Sequence, residues 1–308
     1  MTPHLQLVAI VGPTATGKSD LAVALARELD AEVVNADSMQ LYRGMDVGTA
    51  KLPVEQRHGV PHHLLDVWDV THAASVVEYR ALARAAIDEI HRRGRTALLV
   101  GGSGLYVNAL VDDWQFPGTD PDVRQRLEQR LQDEGPEVLH AELAQRDPEA
   151  AQRILPTNGR RIVRALEVVE LHGSFTASLP QPGAGLADLV VGLDTDRDVL
   201  DERIEHRVDA MWDAGWVEEV RALERVGLRE GRTASRALGY QQILAMLDGS
   251  LTQEDARSAT VTGTRRFARR QQGWFRRDPR VRWLAADDPH LLDAARRLVA
   301  EPSVTTGR

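Results

Sequence analysis

Eight residues near the start of the chain, Gly12-Pro13-Thr14-Ala15-Thr16-Gly17-Lys18-Ser19, match the G-x-x-x-x-G-K-[ST] phosphate loop without a gap. Glycines let such a loop turn tightly enough for successive amide N–H groups to converge on phosphate oxygens. A following helix adds the partial positive charge of its N-terminus. In that arrangement Lys18 reaches the terminal phosphate and Ser19 holds a Mg2+ ion. The flanks meet the requirement: an apolar, β-branched run from Leu5 to Val11 precedes the loop, and Leu21, Leu25 and Leu29 follow at helical spacing. The loop specifies a diphosphate carrying a metal ion and leaves open what is done with it.

A second set of polar residues lies in AEVVNADSMQLY, which reads as a strand over residues 31–35 running into a turn with Asp37, Ser38 and Gln40. Ligands of open parallel sheets gather beyond the carboxyl ends of the strands, which puts these side chains beside the phosphate loop. Asp37 there suits a general base, a turn aspartate, or a water-mediated Mg2+ ligand as in small-molecule kinases. TALLVGGSGLYVNAL repeats the order strand, glycine turn, helix, with Ser103 in the turn; glycine turns also occur for geometry alone. His62 and His63 are neighbours on a strand, point to opposite faces and do not readily share an ion.

The elements that must position these residues imply an α/β protein: a P-loop NTPase-like parallel sheet flanked by helices, with a small all-helical insertion domain. The 308 residues divide into a first part of the core over 1–113, an insertion over 114–187, a second part of the core over 188–300 and a frayed tail over 301–308. HLLDV reads as a short strand. SVVEYRALARAAIDEIHRRG reads as a helix with Val76, Tyr79, Leu82, Ala86 and Ile90 inward and Gly94 as its stop. In the insertion strands vanish, two or three helices rich in Arg, Glu and Gln appear, and the chain returns through SLPQPGAG. ASRALGYQQILAML reads as one helix and residues 260–277 as a basic one.

Composition narrows the classes. No cysteine means no disulfide, iron–sulfur cluster or thiolate zinc site. No apolar stretch approaches a bilayer span and the N-terminus lacks a secretion signal, so a cytoplasmic protein without membrane contact is expected. The net charge is −8, yet nine arginines stand against one acid between Arg257 and Arg282. On the basic helix Arg265, Arg269 and Arg276 share one stripe and Arg266, Arg270 and Arg277 the next, while Phe267 and Trp274 pack inward. An excess unbalanced by acids favours phosphate contact and suits a protein that grips a polyanion at one place.

Taken in order, GPTATGKS, ADSMQLYRGMDVGTAK, PHHLLDV, LLVGGSGLY, RRIVRALEV, RVDAMWDAG, SRALGYQQ and TRRFARRQQGWF resemble the bacterial tRNA dimethylallyltransferases, also called tRNA isopentenyltransferases. The resemblance runs to about Phe275, and the stretch from Asp37 to Lys51 is more specific than the phosphate loop. Leu52, Ser103 and Phe267 stand where the family usually has proline, threonine and tyrosine; Ser103 keeps the hydroxyl.

The resemblance implies transfer of a dimethylallyl group from its diphosphate to N6 of the adenosine 3′-adjacent to the anticodon. Residues Gly12 to Ser19 then hold the diphosphate and Mg2+. Asp37 takes the N6 proton, and Arg236, by its place in SRALGYQQ, joins Lys18 and Ser19 in stabilising the leaving group. The target base leaves its stack to meet Asp37, Ser38, Met39, Gln40 and Ser103. The tRNA backbone is gripped through Arg124, through the run Arg160, Arg161, Ile162, Val163 and Arg164, and through Arg265, Arg269 and Arg276. The partners implied are tRNA, at its anticodon stem-loop, and dimethylallyl diphosphate. Because Asp37 and Ser103 should line the strand-end crevice that Gly12 to Ser19 closes from below, the two are expected to enter a channel from opposite ends. Ordered binding through one shared mouth is the alternative. The enzyme is expected to act as a monomer. Two alternatives stay open: an isopentenyltransferase acting on free adenine nucleotides, which has little use for a basic helix, and a P-loop small-molecule kinase.

Overall fold

The structure, a computed structural model, describes residues 7–112, 114, 116–176 and 186–301. The return linker SLPQPGAG, the first six residues and all but the first residue of the 301–308 tail lie outside the described residues. The chain divides into two compact units, Met1–Asp113 with Ala184–Arg308, and Trp114–Gly183.

The first unit starts with β1 (Leu7–Val11), α1 (Lys18–Leu29), β2 (Glu32–Asn35), β3 (His62–His63), α2 (Val76–Arg92), β4 (Ala97–Gly101) and α3 (Gly104–Val111). The second unit consists of α4 (Pro121–Glu134), α5 (Pro136–Arg146), α6 (Pro148–Gln152) and α7 (Gly159–His172). The chain then re-enters the first unit with β5 (Leu189–Asp194), α8 (Arg197–Asp213), α9 (Trp216–Glu224), α10 (Tyr240–Leu247), α11 (Gln253–Phe275), β6 (Val281–Ala285) and α12 (Leu291–Ala300). The six strands form one parallel sheet in the order β3-β2-β4-β1-β5-β6.

A parallel sheet covered on both faces needs strands that are apolar throughout rather than alternating. β1, LVAIV, is wholly buried: Leu7, Ala9 and Val11 face one core, and Val8 and Ile10 face the other. Register pairs Val11 with Gly101 of β4 and with Gly192 of β5, and Asn35 of β2 with Val100. The carboxyl ends of β2, β4, β1 and β5 are therefore level, and the loops that follow them converge.

Three elements differ from expectation. The strand read at HLLDV sits earlier, at His62–His63, because Leu64 and Asp66 adopt left-handed backbone (φ 62° and 58°) that ends extension. α2 buries Tyr79, Ala83, Ile87 and Ile90, leaving Leu82 exposed. The Tyr79 hydroxyl donates to Asn35 O (2.9 Å), which fixes the helix's rotation against β2. The helix read over ASRALGYQQILAML is broken: a short 3-10 turn over Ala234–Arg236 precedes α10, and Gly239 between them has φ +83°. A Cβ at Gly239 would strike the buried Trp216 ring, so the break makes room for that indole.

In the second unit Asp120, Asp147 and Asn158 accept first-turn N–H groups of α4, α6 and α7, the capping that helix starts require. Leu127, Leu139, Leu143, Ile154, Ile162 and Leu166 form its core. One carboxylate is buried there with no exposure: Glu167 accepts from Arg124 (2.5 Å), Arg164 (2.8 Å) and Thr119 (2.6 Å).

Candidate active site

The phosphate loop links the end of β1 to α1, with Gly17 in left-handed backbone (φ 76°) as the helix's N-cap. A Cβ at Gly12 would collide with Leu193 O of β5, so glycine there lets the loop leave the sheet between close strands. Pro13 O is the loop's internal anchor: it accepts from Thr16 Oγ1 (2.8 Å) and Lys18 Nζ (2.6 Å). Burial pushes the Lys18 ammonium down to about 7; Arg207 adds to the shift and Asp37 opposes it. A site that strains its cations in this way favours an incoming anion.

Asp37 follows β2. Its backbone is clamped by one side chain, Asn35, whose Oδ1 accepts Asp37 N–H (2.9 Å) while Nδ2 donates to Asp37 O and Leu64 O (3.0 Å each). Asp37 Oδ1 accepts Met39 N–H (2.9 Å), which leaves Oδ2 as the oxygen for a substrate proton. Ser38 and Ser103 are joined: Ser103 Oγ accepts Ser38 N–H (3.2 Å) and lies 3.3 Å from Ser38 Oγ. Gln40 commits a donor to Thr49 O (3.1 Å). The loop from Asp37 to Lys51 is held at its far side by Glu219 of α9, which accepts the N–H groups of Asp46, Val47 and Gly48 and the Tyr240 hydroxyl. Lys51 is almost wholly buried and pairs with Asp46 and Asp66 (2.6 Å each).

Two cavities open here. The larger, about 600 Å3, is lined by Thr14, Ala15, Gly17, Lys18 and Ser19 of the phosphate loop and by Asp37, Gln40, Lys51, His62, Arg203 and Arg207. The smaller, about 120 Å3, has apolar walls from Met39, Ile204, Met211, Trp216, Leu238 and Phe267, with Ser38 and Ser103 at its edge. Thr14, Asp37, Thr49 and Arg207 line both. The glycines after β4 also gain a reason. Cβ atoms at Gly102 and Gly104 would strike Gln271 and Trp274, so this turn is glycine-rich to let α11 dock on it.

Several of the assigned residues lie away from the cavities or already have carboxylate partners. Arg236, expected at the leaving group, is exposed on the 3-10 turn and lines neither cavity. Arg207 of α8 is the arginine between the cavities. Burial lowers its pKa against the pull of Asp37 and Asp20. Its signal in sequence was the i, i+4 pair Arg203 and Arg207, each just before a core residue, Ile204 and Val208. Arg124 and Arg164 are spent on Glu167, and Ile162 and Val163 are buried, so in the insertion's run only Arg160 and Arg161 are exposed. On α11, Arg265 pairs with Glu205 (2.6 Å), Arg269 with Asp201 (3.2 Å) and Arg276 with Asp194 (2.7 Å). The neighbouring stripe, Arg266, Arg270 and Arg277, is exposed as well and forms no ion pair among the described residues.

The arrangement suits a group transfer in which a phosphorylated leaving group is held by amides and cations while a carboxylate deprotonates the acceptor. Among the described residues no cluster of three or more His, Asp or Glu side chains is placed to hold a metal. A metal here would take Ser19 and phosphate oxygens, the few-ligand habit of Mg2+.

Residues 40–278 match the family model for IPP transferase. The chain is 62% identical over 303 residues to the tRNA dimethylallyltransferase of Thermobifida fusca, covering 96% of this chain and 95% of that one. It is 62% identical to that of Streptomyces avermitilis, covering 97% of each. Among solved structures it resembles the full-length tRNA isopentenylpyrophosphate transferase of Bacillus halodurans (TM-score 0.71, 41% identity, 96% of this chain and 95% of that one). It also resembles a eukaryotic dimethylallyltransferase acting on tRNA (TM-score 0.77, 26% identity, 94% and 77%).

Proposed function

We propose that this chain, which belongs to the IPP transferase family, is a tRNA dimethylallyltransferase whose reaction is centred on Asp37. Dimethylallyl diphosphate lies with its phosphates on residues 12–19. The adenosine 3′-adjacent to the anticodon is drawn from its stack so that its N6 reaches the allylic carbon. The new C–N bond forms as the C–O bond breaks, diphosphate departs with that electron pair, and Asp37 Oδ2 takes the N6 proton. Adenine N6 is a weak nucleophile because its lone pair is delocalised into the ring, so proton removal must accompany attack. Lys18, Arg207 and the loop amides meet the charge that grows on the leaving group. Mg2+ held by Ser19 would neutralise part of that charge. The single observation that carries this reading is Asp37 at the junction of the two cavities, one oxygen uncommitted and Arg207 beside it.

That junction supports approach of the two substrates from opposite sides. On this reading the enzyme works as a monomer in the cytoplasm, where it would meet its tRNA substrate. Among the described residues no helix is long and apolar enough to cross a membrane.

The test incubates the protein with radiolabelled dimethylallyl diphosphate and either total tRNA or AMP. Label is expected in tRNA alone; label in AMP would favour the free-nucleotide enzyme. Asp37→Asn should lower turnover on tRNA about a hundredfold or more while calorimetry shows diphosphate binding intact. Ordinary turnover would remove Asp37 from the chemistry.

A further inference from the structure

One peptide plane in the phosphate loop is held from both ends. The carbonyl of the Pro13–Thr14 peptide receives Lys18 Nζ (2.6 Å) and Thr16 Oγ1 (2.8 Å). Its N–H, that of Thr14, donates to Gln271 Oε1 of α11 (2.9 Å). Gln271 is 6% exposed, and its Nε2 donates to Gly102 O after β4 (3.0 Å). With both ends of the amide used, its orientation is fixed, and no other side-chain type of that length supplies an acceptor and a donor together. Where Pro13 O points decides where Lys18 rests, and Gln271 decides where Pro13 O points.

The helix that carries Gln271 is itself fastened across the strand ends. Trp274 Nε1 donates to Asn108 Oδ1 of α3 (2.8 Å), and Gln272 and Arg276 hold Asp194 at the end of β5 (2.7 Å each). The same helix presents Arg266, Arg270 and Arg277 outward. We propose that Gln271 is a positioning residue for diphosphate: it sets the phosphate-loop peptide that places Lys18, and so makes α11 part of the diphosphate site. This rests on the reading that the loop holds diphosphate.

Two perturbations reach the contact from opposite sides. Gln271→Met keeps length and removes both hydrogen-bonding groups. Gly102→Ala leaves Gln271 in place but puts a Cβ where its Nε2 lies, and 3.1 Å from Gly12 O, at a backbone position with no positive φ. Each should raise the KM for dimethylallyl diphosphate, and the calorimetric Kd for inorganic diphosphate with Mg2+, by about tenfold, the order expected for one net hydrogen bond. kcat and the Kd for tRNA should stay within about threefold of wild type, and the double variant should be no worse than either single one, because both break one contact. The inference is overturned if melting temperature falls in either variant while diphosphate Kd and KM do not move. It is also overturned if the two effects add or if only kcat changes. Should wild-type protein fail to modify tRNA, the functional reading fails instead, and the inorganic diphosphate measurement still decides the role of Gln271.

Discussion

Two regions of this protein are rich in arginine and use it in opposite ways. In the helical insertion Arg124 and Arg164 close on Glu167, a carboxylate with no exposure. In the core Arg203 and Arg207 stand one turn apart on α8, line a cavity, and form no ion pair among the described residues. A guanidinium that already has its carboxylate is structural: it repays the desolvation of a buried anion. One held at a cavity wall without such a partner calls for an anionic ligand. Net charge does not make this distinction. Between Trp114 and Thr176 eleven acids face eight arginines, which reads as a solvated helical surface, yet the decisive fact is which acid is buried.

The largest effect that could break the contrast concerns Arg207. Removing one preorganised donor to a developing anion costs about 10²–10³ in turnover. Arg207→Gln should show that loss, with melting temperature held and tRNA binding little changed. Arg236→Gln should retain near-normal turnover. The reverse result would return the leaving-group role to the SRALGYQQ stretch and make Arg207 an incidental neighbour.

Glu167→Ala should act on stability instead. Removing one member of a buried ion pair strands the partners, at a cost of about 3 kcal/mol, read as a shift of the urea midpoint. The KM for dimethylallyl diphosphate should not move. The same carboxylate gives the insertion a pH dependence. Burial raises its pKa, but hydrogen bonds from Thr119, Arg164 and Arg124 outweigh burial and hold it below the usual glutamate value. Its stabilisation is therefore present above the unfolded-state pKa of about 4.3 and is lost as pH falls through the lower folded value. Acid unfolding of Glu167→Ala should lack that component. An unchanged acid limb would mean the arginines are not held by this carboxylate.

What was legible in sequence followed from how far each feature reaches along the chain. The phosphate loop could be read because its glycines, Lys18 and Ser19 act through backbone a few residues away. The parallel α/β core could be read because fully buried strands such as LVAIV announce themselves. The rotation of α2 was misread by one position because a distant hydrogen bond, Tyr79 to Asn35, sets it. Gly239 looked like part of a helix because the Trp216 ring that needs its space is 23 residues earlier. Arg207 lay inside the recognised RVDAMWDAG stretch, but its charge had no visible destination until α8 was packed against the strand ends. Asn35 and Gln271 carry no signal at all, since an amide's partners are fixed only by tertiary structure.

The smallest effect separates the two stripes of α11, and it sharpens the contrast within a single helix. Arg265, Arg269 and Arg276 were expected to meet tRNA phosphates, but each is paired with an acid of α8 or β5. These pairs are largely exposed and worth about 0–1 kcal/mol each. Neutralising the three to Gln should lower melting temperature slightly and leave the salt dependence of tRNA binding within half a unit of slope. Arg266 and Arg277 are exposed, and Arg270 lies 5.8 Å over the Phe267 ring. That contact leaves its guanidinium able to meet a phosphate, because an aromatic face neutralises no charge. Each phosphate contact contributes about 0.7 to 0.9 of a unit to the slope of log K against log salt. Neutralising Arg266, Arg270 and Arg277 should therefore flatten the slope by about two units, weaken tRNA at fixed salt, and leave inorganic diphosphate binding unchanged. If the paired stripe flattens the slope and the unpaired one does not, the acids of α8 and β5 must release their arginines when tRNA arrives. The distinction between occupied and unoccupied cations would then describe only the free protein.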